Sequence, residues 1–218
     1  MNTVEYNLSE LRKEIVPYKP TIIAVTKYFD ETKLIEAYQD GLRNFGENRV
    51  QDAIEKFNKL PDEIKQNSKF HLIGHLQSNK VKKAVGVFDY IQSIDSLKLA
   101  KAVSDEAISK GIVQKVLLQI NNANEESKSG YRVNDLLNDF PELITLKGIK
   151  IEGLMNIAPI TTDEELHILF QGMYDLKTKL EKDNSINLKE LSMGMSNDYK
   201  IALEHGATMI RIGRRLFT

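Results

Sequence analysis

Short apolar runs and longer amphipathic runs alternate along this 218-residue chain. Runs rich in Ile, Val, Leu and Phe that are too short to form a helix predict buried β-strands. The predicted strands cover residues 22–25, 44–46, 70–73, 90–94, 115–120, 150–155, 191–193 and 209–212. Between them, apolar residues recur at the 3.6-residue spacing of an amphipathic helix. The clearest of these stripes are Val50, Ala53, Ile54, Phe57 and Leu60; Ala100, Val103 and Ala107; and Leu166, Leu169, Phe170, Met173, Leu176 and Leu180.

This alternation predicts the fold class. Eight strands, each followed by a helix or by a loop long enough for one, indicate an α/β protein with a parallel sheet. Eight such units in about 220 residues lie at the lower end of the size range of a (β/α)8 TIM barrel. A doubly wound open sheet is the alternative, but no glycine-rich nucleotide-binding motif follows a strand. We therefore predict a single barrel domain over residues 1–218, with residues 1–20 as an N-terminal helical extension.

Composition narrows the function classes. The 30 basic side chains nearly balance the 31 acidic ones, which argues against a nucleic-acid partner. The absence of cysteine excludes disulfides, thiolate metal sites and thiol catalysis. No apolar stretch has the character of a signal peptide or the length of a membrane span, so we expect a cytoplasmic protein without a membrane partner. No exposed heptad pattern is visible, and we expect a monomer or weak homodimer.

The first predicted strand leads into a lysine, Lys27, and the next helix is predicted to begin only after Asp30. A lysine at the carboxyl end of a buried strand can be partly desolvated, which lowers the pKa of its amine. The unprotonated amine can then form a Schiff base with an aldehyde. A surface lysine that happens to follow a strand is the alternative, and the other strand ends distinguish the two.

The segments after strands seven and eight are suited to an oxyanion, because a barrel commonly holds phosphate there. After strand seven, the small residues of segment 192–198 allow close approach of the backbone, and Ser196 is predicted to be the N-cap of the following helix. After strand eight, Gly213 lies between Arg211 and Arg214. Taken separately, the first segment could be an ordinary helix cap and the second a surface arginine cluster. Because the two segments follow the two strands after which a barrel commonly holds phosphate, together they favour a phosphate site.

Polar side chains also follow the remaining strands, namely Asn48, His75, Gln77, Ser93, Asn121 and Asn156. His71 and His75 lie four residues apart, but the residues between them are typical of a strand end, so we expect His71 in the barrel interior and no metal site. A lysine, a phosphate cradle and an arginine on different strands are the set expected for pyridoxal 5'-phosphate (PLP). The polar loop over residues 121–131, which contains Lys128, is expected near this site without assigned chemistry.

Six segments resemble those of one family. They are Ala-Val-Thr-Lys at 24–27, Phe-Gly-Glu-Asn-Arg-Val-Gln at 45–51, His-Leu-Ile-Gly-His-Leu-Gln-Ser-Asn-Lys at 71–80, Glu-Gly-Leu-Met at 152–155, Leu-Ser-Met-Gly-Met-Ser-Asn-Asp at 191–198 and Arg-Ile-Gly at 211–213. In this order and spacing they resemble the pyridoxal phosphate homeostasis protein family, whose single-domain barrel is similar to the N-terminal domain of alanine racemase. The resemblance runs from residue 21 to residue 217.

The resemblance implies a role for each candidate residue. Lys27 would hold PLP as a lysine aldimine, and Arg211 would face the pyridine nitrogen. Ser196 and the backbone around Gly213 and Arg214 would hold the phosphate. The other residues assigned to the cofactor site are Asn48, His71, Ser93 and Met155, which would line the ring and linker, and Ser192. A cation beside the ring nitrogen disfavours its protonation, so the cofactor is expected to be a weak electron sink.

The sequence departs from the family pattern at Arg214, where a small hydroxyl residue is usual. We expect a guanidinium to replace a hydroxyl contact to the phosphate there. The chain also ends at Thr218, close behind the last predicted strand. The final helix is therefore expected to be little more than a turn.

Three functions follow from this set of residues. The first is a PLP-binding protein that carries, buffers or delivers the cofactor and is not an enzyme. The second is an amino-acid racemase, which needs an acid–base group on each face of the substrate α-carbon. Lys27 could serve one face, but the chain lacks room for the second domain that supplies the opposing tyrosine in alanine racemase, leaving only Tyr28 and Tyr131 near the mouth. The third is a Schiff-base aldolase, which would not require Arg211.

Overall fold

The computed structural model describes residues 2–123 and 129–218. Strands and helices alternate through this part of the chain. The strands are β1 (Thr21–Val25), β2 (Asn44–Glu47), β3 (Lys69–Leu72), β4 (Tyr90–Ile94), β5 (Gln114–Ile120), β6 (Ile149–Asn156), β7 (Glu190–Met195) and β8 (Met209–Ile212). The α-helices are α1 (Thr3–Glu14), α2 (Glu31–Gln39), α3 (Val50–Asn58), α4 (Asp62–Asn67), α5 (Val81–Ala84), α6 (Leu97–Ser109), α7 (Val133–Leu143), α8 (Asp163–Asn184), α9 (Tyr199–Glu204) and α10 (Arg214–Phe217).

The strands form a closed parallel barrel in chain order, because β8 pairs with both β7 and β1. This confirms the predicted (β/α)8 barrel. The observed strand ends differ from the predicted ones by at most two residues. Local signals explain the agreement: Asp30 caps α2 by accepting hydrogen bonds from the N–H groups of Thr32 and Lys33, and Ser96 caps α6 in the same way.

Side chains alternate between the two faces of each strand, so one set packs under the helices and the other fills the barrel. The outward set belongs to one large apolar core shared with the helices. The inward set contains a small separate apolar cluster, made of Ile23, Leu117, Met155 and Met209. Buried polar side chains lie beside this cluster, since Gln92 Nε2 approaches the sulfur of Met209 to 3.7 Å. The barrel interior is therefore partly polar, which is unusual for a layer that only has to pack.

Three strand pairings of the described barrel lose their regular register; one is β5–β6, between Val116 and Leu117, and the other two involve β4 and β7. The β4–β5 pairing shifts between Ile91 and Ile94, and the β7–β8 pairing shifts between Ser192 and Met195. Irregularities of this kind re-aim side chains and are common beside functional sites. The shifts in the β4–β5 and β7–β8 pairings occur where predicted site residues lie.

Helix α1 joins the two helices that end the chain. The carboxylate of Glu14 accepts hydrogen bonds from the hydroxyl of Tyr199 at 2.6 Å and from Arg215, and it pairs with Lys200 at 2.8 Å. Asn7 donates to the carbonyl oxygens of Leu216 and Thr218. The last helix, α10, is a single turn, as expected from its length. Helix α1 therefore braces α9 and α10 from outside the barrel.

Replacing Glu14 by glutamine tests this brace. Hydrogen bonds from Lys200 and Tyr199 lower the pKa of Glu14 to about 2. Because the folded-state pKa lies below the unfolded value, the stabilisation is fully present above about pH 4.5 and disappears as the pH falls toward 2. We expect Glu14→Gln to lower the free energy of unfolding at pH 7 by about 1 kcal/mol, and the two proteins to converge in urea titrations near pH 2. A difference independent of pH would contradict the electrostatic origin.

Within the described ranges, no helix is long and apolar enough to cross a membrane. The expected loop near the site is described only in part. Its first residues, Asn121 to Ala123, and its last, Ser129 to Tyr131, are described, and Gln119 donates to the carbonyl oxygen of Ser129. Lys128 lies outside the described residues.

Candidate cofactor site

The predicted site residues fall into two groups at the carboxyl end of the barrel. Those exposed or half-buried at the mouth, which we call the rim, are Lys27, Asn48, Ser196, Gly213 and Arg214. Those buried inside the barrel, which we call the floor, are His71, Ser93, Met155, Ser192 and Arg211. Direct contacts link part of the set: Arg211 donates to Ser192, and Gly213 lies against Val25, two residues before Lys27.

Lys27 is exposed, and its Nζ atom lies 4.9 Å from the ring centroid of Tyr28. The expected partial desolvation of this amine was therefore wrong for this structure. The strand β1 ends at Val25, so Lys27 lies beyond the last buried position and its side chain turns over the neighbouring tyrosine. The amine is accessible to a ligand at the mouth.

A buried ion pair holds the strand end that carries Lys27. The Lys56 Nζ atom lies 2.5 Å from Glu47 Oε1 and donates to the backbone oxygen of Thr26 at 2.7 Å. The hydroxyl of Thr26 donates to the same Glu47 oxygen at 2.5 Å. Sequence reasoning missed this cluster, although Glu47 stands beside Asn48 in a segment that it had singled out. It positions the residue immediately before Lys27.

The segment after β7 differs from prediction at its helix cap. We expected Ser196 to be the N-cap, but α9 begins at Tyr199 and its N-cap is Asp198. The carboxylate of Asp198 accepts a hydrogen bond from the backbone N–H of Met195 at 2.5 Å, which closes a turn before the helix starts. Ser196 lies half-buried within this turn, and its prediction as a phosphate contact remains a prediction.

Gly194 explains how β7 meets α9. Its φ angle is +92°, in the left-handed region, and a Cβ there would collide with Ala202 and with the backbone of Tyr199. On the next strand, Gly213 precedes α10, and Arg214 is the first, exposed residue of that helix. Gly194 and Gly213 thus lie at the ends of two adjacent strands, where the phosphate site is predicted.

Arg211 is the charged residue of the floor. It is 4% exposed, and burial lowers the pKa of its guanidinium to about 10. Its Nη1 atom donates to the Ser192 hydroxyl at 2.8 Å and its Nη2 atom to the Asn156 carbonyl oxygen at 2.6 Å. A buried cation held this firmly at the base of a mouth favours a ligand that presents a hydrogen-bond acceptor.

His71 lies in the barrel interior, as expected. It is fully buried, stacks on Tyr90 at 4.9 Å between ring centroids, and burial lowers its pKa to about 3. Both ring nitrogens have protein partners, Asn44 and Gln92, so neither is free for a ligand. Gln92 was missed by sequence reasoning, because a glutamine inside an apolar strand carries no motif signal.

The remaining site residues differ in what they offer. The Ser93 hydroxyl is buried and lacks a hydrogen-bond partner among the described residues. It can therefore form a hydrogen bond with a ligand beside the irregular part of β4. Met155 is fully buried in the interior apolar cluster. Asn48 is half-buried, and Gly74 packs so closely on its backbone that a Cβ at Gly74 would overlap the Asn48 carbonyl oxygen.

Comparison with known proteins agrees with this geometry. The family described as alanine racemase, N-terminal domain, matches residues 1–218. The chain is 39% identical over 203 residues to the pyridoxal phosphate homeostasis protein of Synechocystis sp., covering 93% of this chain and 92% of that protein. It is 31% identical over 234 residues to the protein of the same name from Escherichia coli K12, covering 100% and 97% of the two chains.

The chain belongs to the pyridoxal phosphate homeostasis protein family. Among solved structures, PipY of Synechococcus elongatus PCC7942 with PLP bound has 39% sequence identity and a TM-score of 0.90, covering 99% of this chain and 100% of PipY. An alanine racemase of Clostridium difficile 630 superposes with a TM-score of 0.80 at 15% identity, which shows the shared fold alone. This chain covers 56% of that racemase.

The residues in the site fit PLP. The rim supplies an accessible amine, the floor supplies a guanidinium that can only donate, and Ser93 supplies a buried hydroxyl without a partner among the described residues. Ser196 and Gly213, which follow β7 and β8, are the candidates for the phosphate contacts. Each of these groups matches a different part of the cofactor: aldehyde, ring nitrogen, ring substituent and phosphate.

Proposed function

We propose that this protein binds PLP at the barrel mouth and acts in PLP homeostasis. The observation that carries the proposal is the pairing of an exposed lysine at the rim with a buried arginine on the floor, in a chain belonging to this family. When bound, PLP supplies an aldehyde that reacts with primary amines and a ring that withdraws electrons. Lys27 is the residue proposed to bond the cofactor, and Arg211 to donate a hydrogen bond to the ring nitrogen.

The other residues of the site take supporting roles in this proposal. Ser196, Gly213 and Arg214 bind the phosphate through hydroxyl, backbone and guanidinium groups. Asn48 and Ser93 contact the polar substituents of the ring from the rim and the floor. Met155 and Ser192 complete the floor, the former by packing and the latter by accepting a hydrogen bond from Arg211.

The floor and rim favour a carrier over a racemase. A racemase needs a second acid–base group opposite the lysine. Tyr28 stands directly beside Lys27 at the same strand end, so it approaches from the same side. The hydroxyl of Tyr131 is buried, and burial raises the pKa of this phenol, which makes it a poor base at neutral pH. We therefore propose that holding and releasing PLP, rather than turnover of an amino acid, is the function.

The proposal also covers the partners, the cellular location and the oligomeric state of the protein. Nearly balanced charge supports the absence of a nucleic-acid partner. A sequence without cysteine supports a cytoplasmic location. We propose that the protein acts there as a monomer or weak homodimer.

Replacing Lys27 by alanine tests the proposal. We expect the wild-type protein to absorb in the visible range with PLP and, after borohydride, to carry one covalently attached cofactor on Lys27 by peptide mass spectrometry. The Lys27→Ala protein should lose that adduct completely, because no other amine is proposed to bond the cofactor. Its free energy of unfolding should change by less than about 0.5 kcal/mol, since the side chain is exposed.

Lys19→Ala is the matched control, because Lys19 is an exposed lysine just before the opposite end of β1. This variant should retain the visible band and the adduct. An adduct that persists in Lys27→Ala, or a wild-type protein that stays colourless with added PLP, would refute the assignment of Lys27.

A further inference from the structure

A chain of hydrogen bonds crosses the barrel interior beneath the mouth. Arg211 Nη1 donates to Ser192 Oγ at 2.8 Å, and the Ser192 hydroxyl donates to Gln92 Oε1 at 2.7 Å. Gln92 Nε2 lies 3.0 Å from His71 Nδ1, and His71 Nε2 lies 3.1 Å from Asn44 Oδ1. These side chains come from β8, β7, β4, β3 and β2, so the chain connects five of the barrel strands through their interior faces.

Arg211 determines the direction of every link. A guanidinium has only donors, so Ser192 must accept from it and is left with its own hydroxyl proton to donate. Gln92 must then present its oxygen to Ser192, which turns its amide nitrogen toward His71. Two donors cannot face each other, so His71 Nδ1 must be unprotonated. A neutral imidazole carries its proton on the other nitrogen, and His71 Nε2–H therefore donates to Asn44.

The chain has little freedom to rearrange. His71, Gln92 and Ser192 are fully buried, and Arg211 is 4% exposed. A buried polar group that loses its partner leaves a desolvated donor or acceptor, which costs more than an exposed one. A buried network in which every member is satisfied therefore holds its side chains in one arrangement. Packing alone does not account for so many polar side chains inside the barrel.

We propose that His71 and Gln92 are positioning residues, which act through Ser192 to fix the guanidinium of Arg211 against the ring nitrogen of the cofactor. The inference rests on the proposed function, because it assigns a purpose to Arg211 in PLP binding. His71 itself does not contact the cofactor in this account. It acts three links away: by accepting from the Gln92 amide nitrogen it turns the Gln92 oxygen toward Ser192, and this keeps Arg211 oriented as a donor to an unprotonated ring nitrogen.

The direction of the chain is tested first in the protein without cofactor. Nitrogen-15 NMR of His71 at pH 7 should show a bare Nδ1 and a protonated Nε2. In Gln92→Glu, the carboxylate still accepts from Ser192 but cannot donate to the histidine, so His71 Nδ1 should gain a proton. A protonated Nδ1 in the wild-type protein, or an Nδ1 that stays bare in Gln92→Glu, would overturn the inference.

The effect on the cofactor is tested with PLP labelled at its ring nitrogen. Gln92→Leu removes the partner of both Ser192 and His71, and we expect about tenfold weaker PLP binding and a ring-nitrogen resonance shifted toward the protonated form. Gln92→Glu should keep the wild-type ring resonance, because the link to Ser192 survives. Met209→Leu is the matched control, since it removes only the 3.7 Å sulfur contact of the same amide nitrogen and preserves volume.

The outcomes separate the two proposals. If Gln92→Leu binds PLP with unchanged affinity and an unchanged ring resonance, the positioning role is wrong. If the wild-type protein does not bind PLP, the proposed function fails, and the NMR of His71 still reports whether the chain has the inferred direction. Should Gln92→Leu not fold, Ser192→Ala breaks the next link with a smaller change in volume and has the same expected readouts.

Discussion

Glu47→Gln is expected to lower the free energy of unfolding by about 3–5 kcal/mol, because it leaves a buried lysine without its counter-ion. The side chains of Lys56 and Glu47 are only 9% and 2% exposed, and their atoms approach to 2.5 Å. The neutral amide keeps the shape of the carboxylate but cannot balance the ammonium charge. Urea denaturation followed by circular dichroism measures the loss.

We expect Glu47→Gln also to alter the cofactor site. Glu47 accepts a hydrogen bond from the hydroxyl of Thr26, and Lys56 donates one to the Thr26 carbonyl oxygen, so both members of the pair hold the residue immediately before Lys27. We expect Glu47→Gln to slow formation of the borohydride-trapped adduct on Lys27 even under conditions in which the variant is folded. Normal adduct formation in folded Glu47→Gln would mean that the pair stabilises the barrel without positioning Lys27.

The double variant Glu47→Gln/Lys56→Met is the matched control for stability. Replacing both members of a buried pair by neutral groups removes the uncompensated charge, and such replacements are often neutral. The double variant should therefore recover most of the stability that Glu47→Gln loses. A loss below about 1 kcal/mol in the single variant would show that the pair contributes little, as exposed ion pairs do.

Gly153→Ala is expected to destabilise the barrel by about 3 kcal/mol or more, at the upper end of the cost of overpacking. Gly153 of β6 pairs with Glu190 of β7, and a Cβ on Gly153 would overlap the backbone carbonyl of Glu190. Backbone cannot move aside as the end of a flexible side chain can, so the two strands must separate locally. Since domains are stable by only about 5–15 kcal/mol, the midpoint of denaturation should fall clearly.

Gly172→Ala provides the comparison for the same chemical change. Gly172 lies inside α8, and a Cβ there would make only an ordinary 3.7 Å contact with Asn122. Alanine in a helix interior is favoured over glycine by about 0.5–1 kcal/mol, so this variant should gain stability. If Gly153→Ala stayed within about 1 kcal/mol of the wild-type protein, strand spacing would not be set by this glycine.

Rim and floor have different consequences for binding. The rim residues Lys27 and Arg214 are exposed and Asn48 is half-buried, which suits a protein that must take up and release a ligand. The floor is buried, and the hydrogen bonds of Arg211 and Ser192 are already made without the ligand, so little ordering of these two side chains is required when a ligand binds. We expect changes on the floor to alter how the cofactor ring is held, and changes at the rim to alter how readily it enters and leaves.

The sequence alone was sufficient for the fold. The sequence predicts the periodicity of strands and helices, helix caps such as Asp30, and the order of the elements. These features can be predicted because each depends on residues that are close together in the chain. The placement of Lys27, Arg211 and Gly213 at one mouth followed from the rule that parallel strands of a barrel end on the same side. The family resemblance rested on the same segments.

Tertiary structure decided what these segments contact. The pairing of Glu47 with Lys56, the route from Arg211 to Asn44 and the bracing of α9 and α10 by Glu14 each join residues that are distant along the chain or carry no periodic signal. The helix start lies after Asp198 and not after Ser196 because residues 195–198 form a turn, closed by hydrogen bonds between Met195 and Asp198, which spacing along the chain does not reveal. Lys27 proved exposed because burial depends on where a strand stops relative to the barrel wall. Local patterns therefore determine which elements form, while burial and hydrogen-bond partners emerge only once the barrel is closed.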